Sequence, residues 1–273
     1  MIGIKQTLSA FAIALQLGLL LSANAQPSVK PANANPRFWI YLLAGQSNMS
    51  GRADLSDTVH QRMTGYPEIR NSRIKMLDAN NNWVPARHPI HFDYPNAGIG
   101  PGMAFAVRLL ESIGDTTIVI GLVPAAVGGS NSAQWLPSST GSLYATAVKR
   151  TFRATSDGVL KGILFHQGEA DIQQHTTTGW SDRINTIISE LRGTFNRPGL
   201  PFIIGEIGYF VPGHEQINSQ IAGIASSRVN VSRVSADGLE DKGDHLHFNG
   251  ISSSLLGKRY ADAMKRIQNN NVN

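Results

Sequence analysis

The chain alternates two kinds of apolar segment in strict order, and no other feature limits its fold as much. Short, nearly continuous apolar runs stand at 37–45 (RFWIYLLAG), 116–125 (TTIVIGLVPA), 158–167 (GVLKGILFHQ), 200–208 (LPFIIGEIG) and 229–236 (VNVSRVSA). Longer amphipathic segments fall between them: GMAFAVRLLESIG, SLYATAVKRTFRAT, WSDRINTIISELRGTF and HEQINSQIAGIASS, with ISSSLLGKRYADAMKRI closing the chain. Runs of the first kind fit strands buried on both faces, and those of the second kind fit helices with one apolar stripe. Strand and helix in alternation predict an α/β fold, a three-layer α/β/α sandwich around a central, mainly parallel sheet of about five strands.

The two ends of the chain read differently. Residues 1–25 carry one lysine, then an apolar run interrupted by Gln16, then the small-x-small ending Ala23-Asn24-Ala25, the layout of a cleaved signal peptide. Export to the periplasm or the medium follows, with no membrane anchor after cleavage. Residues 26–36 (QPSVKPANANP) read as a flexible lead-in and 269–273 as a frayed tail, leaving 37–268 as one domain. Loss of Lys5 with the signal takes the formal charge from +5 to +4, spread without basic runs, which argues against nucleic acid as a partner. The absence of cysteine excludes disulfides, thiolate nucleophiles and thiolate metal ligands.

In open α/β sheets, functional groups collect in the crevice at the carboxyl ends of the strands. Unusual polar clusters occupy those positions here: GQSNM (45–49) after the first run, VPAAVGGSN (123–131) after the second and HQGEAD (166–171) after the third, with DKGDHLHFNG (241–250) before the last helix. Taken singly, each has an ordinary structural reading: a turn serine, a Gly-Gly turn, a helix-start carboxylate, a surface histidine. Together they supply what a serine hydrolase needs. Ser47 is the hydroxyl nucleophile, His247 the base, and Asp244, three residues earlier, the carboxylate that orients it. Backbone N–H groups of Ser47 and Gly129, with the Gln167 side-chain amide, are the candidate oxyanion donors. Met49 stands where G-x-S-x-G requires its second glycine, so this is not the α/β-hydrolase elbow.

At these motifs the chain resembles the SGNH (GDSL-like) hydrolases, in the branch of carbohydrate acetylesterases that holds family 6 acetylxylan esterases and sialate O-acetylesterases. GQSNM, VPAAVGGS with the QW that follows, HQGEAD and DHLHF carry the likeness over about residues 38–262. The resemblance implies the same roles for Ser47, His247, Asp244, Gly129 and Gln167. It adds Glu169 as a second acid near the histidine, a residue without counterpart in the superfamily's broader Gly-x-Asn-Asp block. It implies acetyl groups on an oligo- or polysaccharide as substrate, xylan first and sialic acid as the alternative, and no cofactor. Arg52 and Trp135 are expected to border the crevice, the tryptophan as a platform for a sugar ring. Two rivals compete: a carbohydrate-binding relative without catalysis, and metal-dependent hydrolysis through Asp244, His245 and His247, which lacks a third well-placed ligand.

Overall fold

The computed structural model describes residues 34–56 and 71–270. The signal-peptide reading, the lead-in as far as residue 33 and the last three residues of the tail lie outside them. The chain runs β1 (Phe38–Gly45), α1 (Ser47–Ser50), β2 (Ile74–Leu77), β3 (Trp83–Pro85), α2 (Pro101–Glu111), β4 (Val119–Pro124), a 3-10 turn (Ser132–Trp135) and α3 (Leu143–Thr155). It continues with β5 (Val159–His166), α4 (Glu169–Gln173), α5 (Trp180–Thr194), β6 (Phe202–Gly205), α6 (His214–Ser227), β7 (Val231–Val234) and α7 (Gly250–Asn270).

The seven strands among the described residues form one sheet in the order β3-β2-β4-β1-β5-β6-β7. Only β3 runs antiparallel to its neighbour, at one edge. The three-layer α/β architecture is the expected one, but the sheet has seven strands rather than about five. The two additions, IKML and WVP, are short, and each mixes polar or half-exposed positions with apolar ones. β2 gains its place by pairing with β4 and β3 by pairing with β2, and a run of three or four residues has too few positions to display a period.

Alternation along β1 explains why both faces of the sheet are covered. Tyr41 and Leu43 point into one core with Phe105 of α2 and Leu256, Tyr260 and Met264 of α7. Ile40, Leu42 and Ala44 point into the other, against Trp180, Ile184 and Ile188 of α5 and Ile217 and Ile221 of α6. The ends of the domain differ slightly from expectation. The Asn35 N–H donates to the Asp157 carbonyl at 2.9 Å, so the last part of the lead-in is tied down, and α7 continues through Asn270. No helix among the described residues is long and apolar enough to cross a membrane.

β1 is the middle strand, and its carboxyl end lies between those of β4 and β5. The chain leaves β1 through Gly45, whose φ is +121° and where a Cβ would fall 2.0 Å from the His166 carbonyl oxygen. Glycine is required there both for its backbone angle and for the close approach of β5. The turn that follows delivers Ser47 to the crevice.

Candidate active site

His247 reaches the crevice on a small self-supporting loop. Asp241 and Phe248 form an antiparallel bridge, and the Lys242 N–H donates to the His247 carbonyl at 2.9 Å. At the tip, Asp244 Oδ1 accepts the N–H groups of Leu246 (3.0 Å) and His247 (2.8 Å), a local aspartate turn. The same carboxylate turns Oδ2 to His247 Nδ1 at 2.8 Å. Short-range geometry alone therefore pairs the acid with the imidazole. On the other side of the ring, Nε2 lies 3.0 Å from Ser47 Oγ, a contact between residues 200 positions apart. With Nδ1–H held by Asp244, Nε2 is left as the acceptor of a hydrogen bond from the Ser47 hydroxyl.

Burial raises the Asp244 carboxyl, but the His247 and Leu246 N–H groups, the His247 ring and its charge outweigh that and bring its pKa down to about 2. A carboxylate depressed from 3.8 stabilises the fold fully above that value and loses the contribution as pH falls towards 2.

Asn48, next to Ser47, locks the histidine loop in place. Its Nδ2 donates to the Leu246 carbonyl at 3.0 Å, and its Oδ1 accepts the Phe248 N–H at 3.1 Å, so one side chain grips the backbone on both sides of His247. The same Nδ2 donates to Glu169 Oε1. Glu169 is fully buried and also meets His166 Nε2 at 3.1 Å, while His166 Nδ1 lies 3.3 Å from the Tyr260 hydroxyl. Burial raises the Glu169 carboxyl, but the charge and hydrogen bond of His166 and the Asn48 amide prevail and hold it below the usual range. Glu169 is thus partnered with His166 and with Asn48, which in turn holds the backbone on either side of His247.

Gln167 is turned inward. Its Oε1 accepts the Trp180 indole N–H at 2.8 Å, which fixes the amide orientation because an indole can only donate. Nε2 then faces Asp171 Oδ2, the Ser130 carbonyl and Gln46 Oε1. Both amide hydrogens are satisfied in the interior, so Gln167 is not placed as an oxyanion donor. The two backbone candidates differ from it. Among the described residues no acceptor pairs with the N–H of Ser47 or of Gly129, and at Gly129 (φ +71°) a Cβ would meet nothing within 4 Å.

The two expected crevice residues are also corrected. Trp135 is fully buried, its indole N–H on Ser130 Oγ at 3.1 Å and its ring edge-on to Phe165, with no face left for a sugar. Arg52 lies beneath the surface and pairs with Asp93 at 2.8 Å, Ser50 Oγ at 2.7 Å and the Gly51 carbonyl at 2.8 Å. Asp93 gave no signal in the sequence, yet it is the hub of this network. It accepts from Ser50 and Arg52 and also takes the Gly128 N–H at 2.8 Å, which holds the peptide next to Gly129. Of the residues in the metal-dependent rival, His245 is largely exposed and faces Asp241, not His247. No cluster of three or more His, Asp or Glu side chains suited to a metal occurs among the described residues.

A three-layer α/β sandwich with an ordered hydroxyl-imidazole-carboxylate row at the carboxyl edge of its middle strand defines a class, the SGNH-like hydrolases. Within that class, the family model described as "Carbohydrate esterase, sialic acid-specific acetylesterase" matches residues 37–266, and the chain belongs to this family of carboxylic ester hydrolases. A relative from Arabidopsis thaliana, named "Probable carbohydrate esterase", is 34% identical over 238 residues, 82% of this chain and 89% of its own length. The X-ray structure of that plant protein superposes with a TM-score of 0.73 at 32% identity, covering 85% of this chain and 99% of the other. Two more distant structures share the fold. NanS has a TM-score of 0.69 at 17% identity, over 87% and 99% of the two chains. A carbohydrate acetylesterase from Xanthomonas citri has 0.60 at 16%, over 84% of this chain and 56% of its own.

Proposed function

We propose that this chain removes O-acetyl groups from sugars through an acetyl-enzyme formed on Ser47. One observation carries the reading: the row from Ser47 Oγ to His247 Nε2 (3.0 Å) and from His247 Nδ1 to Asp244 Oδ2 (2.8 Å). Ser47 Oγ attacks the acetyl carbonyl carbon as its proton passes to Nε2, and the developing oxyanion takes the N–H groups of Ser47 and Gly129. Collapse breaks the ester C–O bond, and the proton on Nε2 goes to the departing sugar oxygen. Water, deprotonated by the same nitrogen, then releases acetate and restores Ser47. Asp244 holds the tautomer and stabilises the imidazolium throughout.

Membership of a family described by sialic acid-specific acetylesterases supports the sialate reading above the xylan one. An acetylated oligo- or polysaccharide is the proposed substrate. The purified chain is expected to hydrolyse acetyl esters in the presence of EDTA and to prefer them strongly over butyryl and octanoyl esters, because the family is described by acetylesterases and Gln46, Asn48 and Ser50 around Ser47 are polar. Activity abolished by EDTA and restored by zinc would overturn the serine mechanism, and equal kcat/KM for acetyl and octanoyl esters would overturn the acyl preference. A panel of acetylated sialic acid, xylan and pectin fragments decides among the glycans.

Export is proposed from residues 1–25. Mature protein beginning at Gln26 in the periplasm or medium is the expected result, and full-length chain retained in the cytoplasm counts against it.

A further inference from the structure

With Trp135 buried, the crevice needs another surface for the sugar, and the loop that carries Asp93 offers one. His91 is buried and Asp93 turns inward, while Phe92 and Tyr94 point out, 47% and 59% exposed. Each ring rests on a guanidinium, that of Arg150 4.8 Å below Phe92 and that of Arg52 5.6 Å below Tyr94. Both arginines are themselves held rigidly. Arg150 bonds the carbonyls of Pro124 and Leu77 at the ends of β4 and β2, and Arg52 bonds Asp93 and Ser50. One face of each ring is thereby supported and the other left to solvent, an arrangement that fixes an exposed aromatic in place before any ligand arrives.

Position separates the two rings. Arg52 contacts Ser50, one turn along α1 from Ser47, and Asp93, the neighbour of Tyr94, holds the Gly128 N–H beside the Gly129 donor. Tyr94 is thus linked through Arg52 and Asp93 to Ser50 and to the peptide beside Gly129, whereas Phe92 is linked through Arg150 to the ends of β4 and β2. We propose that Tyr94 is the platform on which the pyranose ring bearing the acetyl group stacks, with Phe92 extending the surface outward. The C–H bonds of a pyranose face carry partial positive charge and complement the negative face of the ring. The inference rests on the carbohydrate esterase reading given above.

The test measures KM and kcat for wild type, Tyr94→Ala and Tyr94→Phe on an acetylated oligosaccharide and on ethyl acetate, which has no ring to stack. Tyr94→Ala is expected to raise KM for the oligosaccharide roughly tenfold with kcat little changed, the signature of lost ground-state binding. Its kcat/KM on ethyl acetate should fall far less than on the oligosaccharide, and Tyr94→Phe should restore oligosaccharide KM. An equal loss on both substrates would assign Tyr94 to holding the Asp93 loop and overturn the platform. Unchanged oligosaccharide kinetics in Tyr94→Ala would overturn it too. If wild type turns over ethyl acetate but no acetylated sugar, the carbohydrate reading itself fails, and the platform with it.

Discussion

Ser47→Ala is expected to lower kcat for acetyl ester hydrolysis by roughly 10^5-fold, the scale seen when a serine nucleophile is removed, while the protein stays folded. The fold should survive because, among the described residues, the Ser47 hydroxyl bonds only to His247 Nε2, and α1 is anchored without it. Backbone bonds from Met49 and Ser50 to the Gln46 carbonyl and the Asn48 grip on residues 246 and 248 remain in the variant. Acetate release measured beside a thermal melt separates the two effects. A variant within tenfold of wild type would remove Ser47 from the chemistry, whereas a collapsed melting curve would show that the hydroxyl has a structural role not visible in its contacts.

The second large effect concerns the two acids, whose substitution should damage different properties. Asp244 sits on a partly exposed tip and touches the imidazole, so Asp244→Ala should cut kcat by about 10^3-fold or more, with a stability loss from the two backbone bonds it accepts that is smaller than that of Glu169→Ala. Glu169 is fully buried against His166 and Asn48, so Glu169→Ala leaves polar groups unpaired in the interior and should cost about 3–5 kcal/mol of stability. Its effect on kcat should be the smaller one, transmitted through a loosened Asn48 and a less well placed His247. The double variant should lose less activity than the product of the singles, since both substitutions end at one imidazole. Asp244 stays ionised down to about pH 2, so loss of activity on mild acidification does not report its protonation. Kinetics and denaturant melts of the three variants decide the matter. If Glu169→Ala is the more damaging to kcat while stability holds and Asp244→Ala is nearly silent, the orienting acid is Glu169.

The Asp93 network shows what sequence reading could not reach. Asp93 lies in HFDYPN, a segment without period or motif, and its three partners come from residues 50, 52 and 128. Gln167 and Asp171 stand in a motif that was legible as functional, yet their side chains brace the interior. Asp171 accepts from Ser132 and Gln167, and through these bonds ties the loop after β4 to the end of β5. A polar residue at a strand end can turn out to the crevice or in to a partner. That choice depends on which donors and acceptors the neighbouring strands bring within about 3 Å, and so on strand order.

The sequence by itself determined the α/β layering, because burial on both faces writes continuous apolar runs into strands and one-sided burial writes a 3.6-residue period into helices. It also determined the Asp244–His247 pairing, because an aspartate turn closes within three residues and needs no distant contact. Tertiary structure alone brought His247 to Ser47 across 200 residues, placed β1 between β4 and β5, and turned Gln167, Trp135 and Arg52 away from the crevice. The reason is one of range. Periodicity and turn chemistry act between residues a few positions apart, whereas the partner of a buried polar side chain is set by strand order and helix packing, which no local pattern encodes.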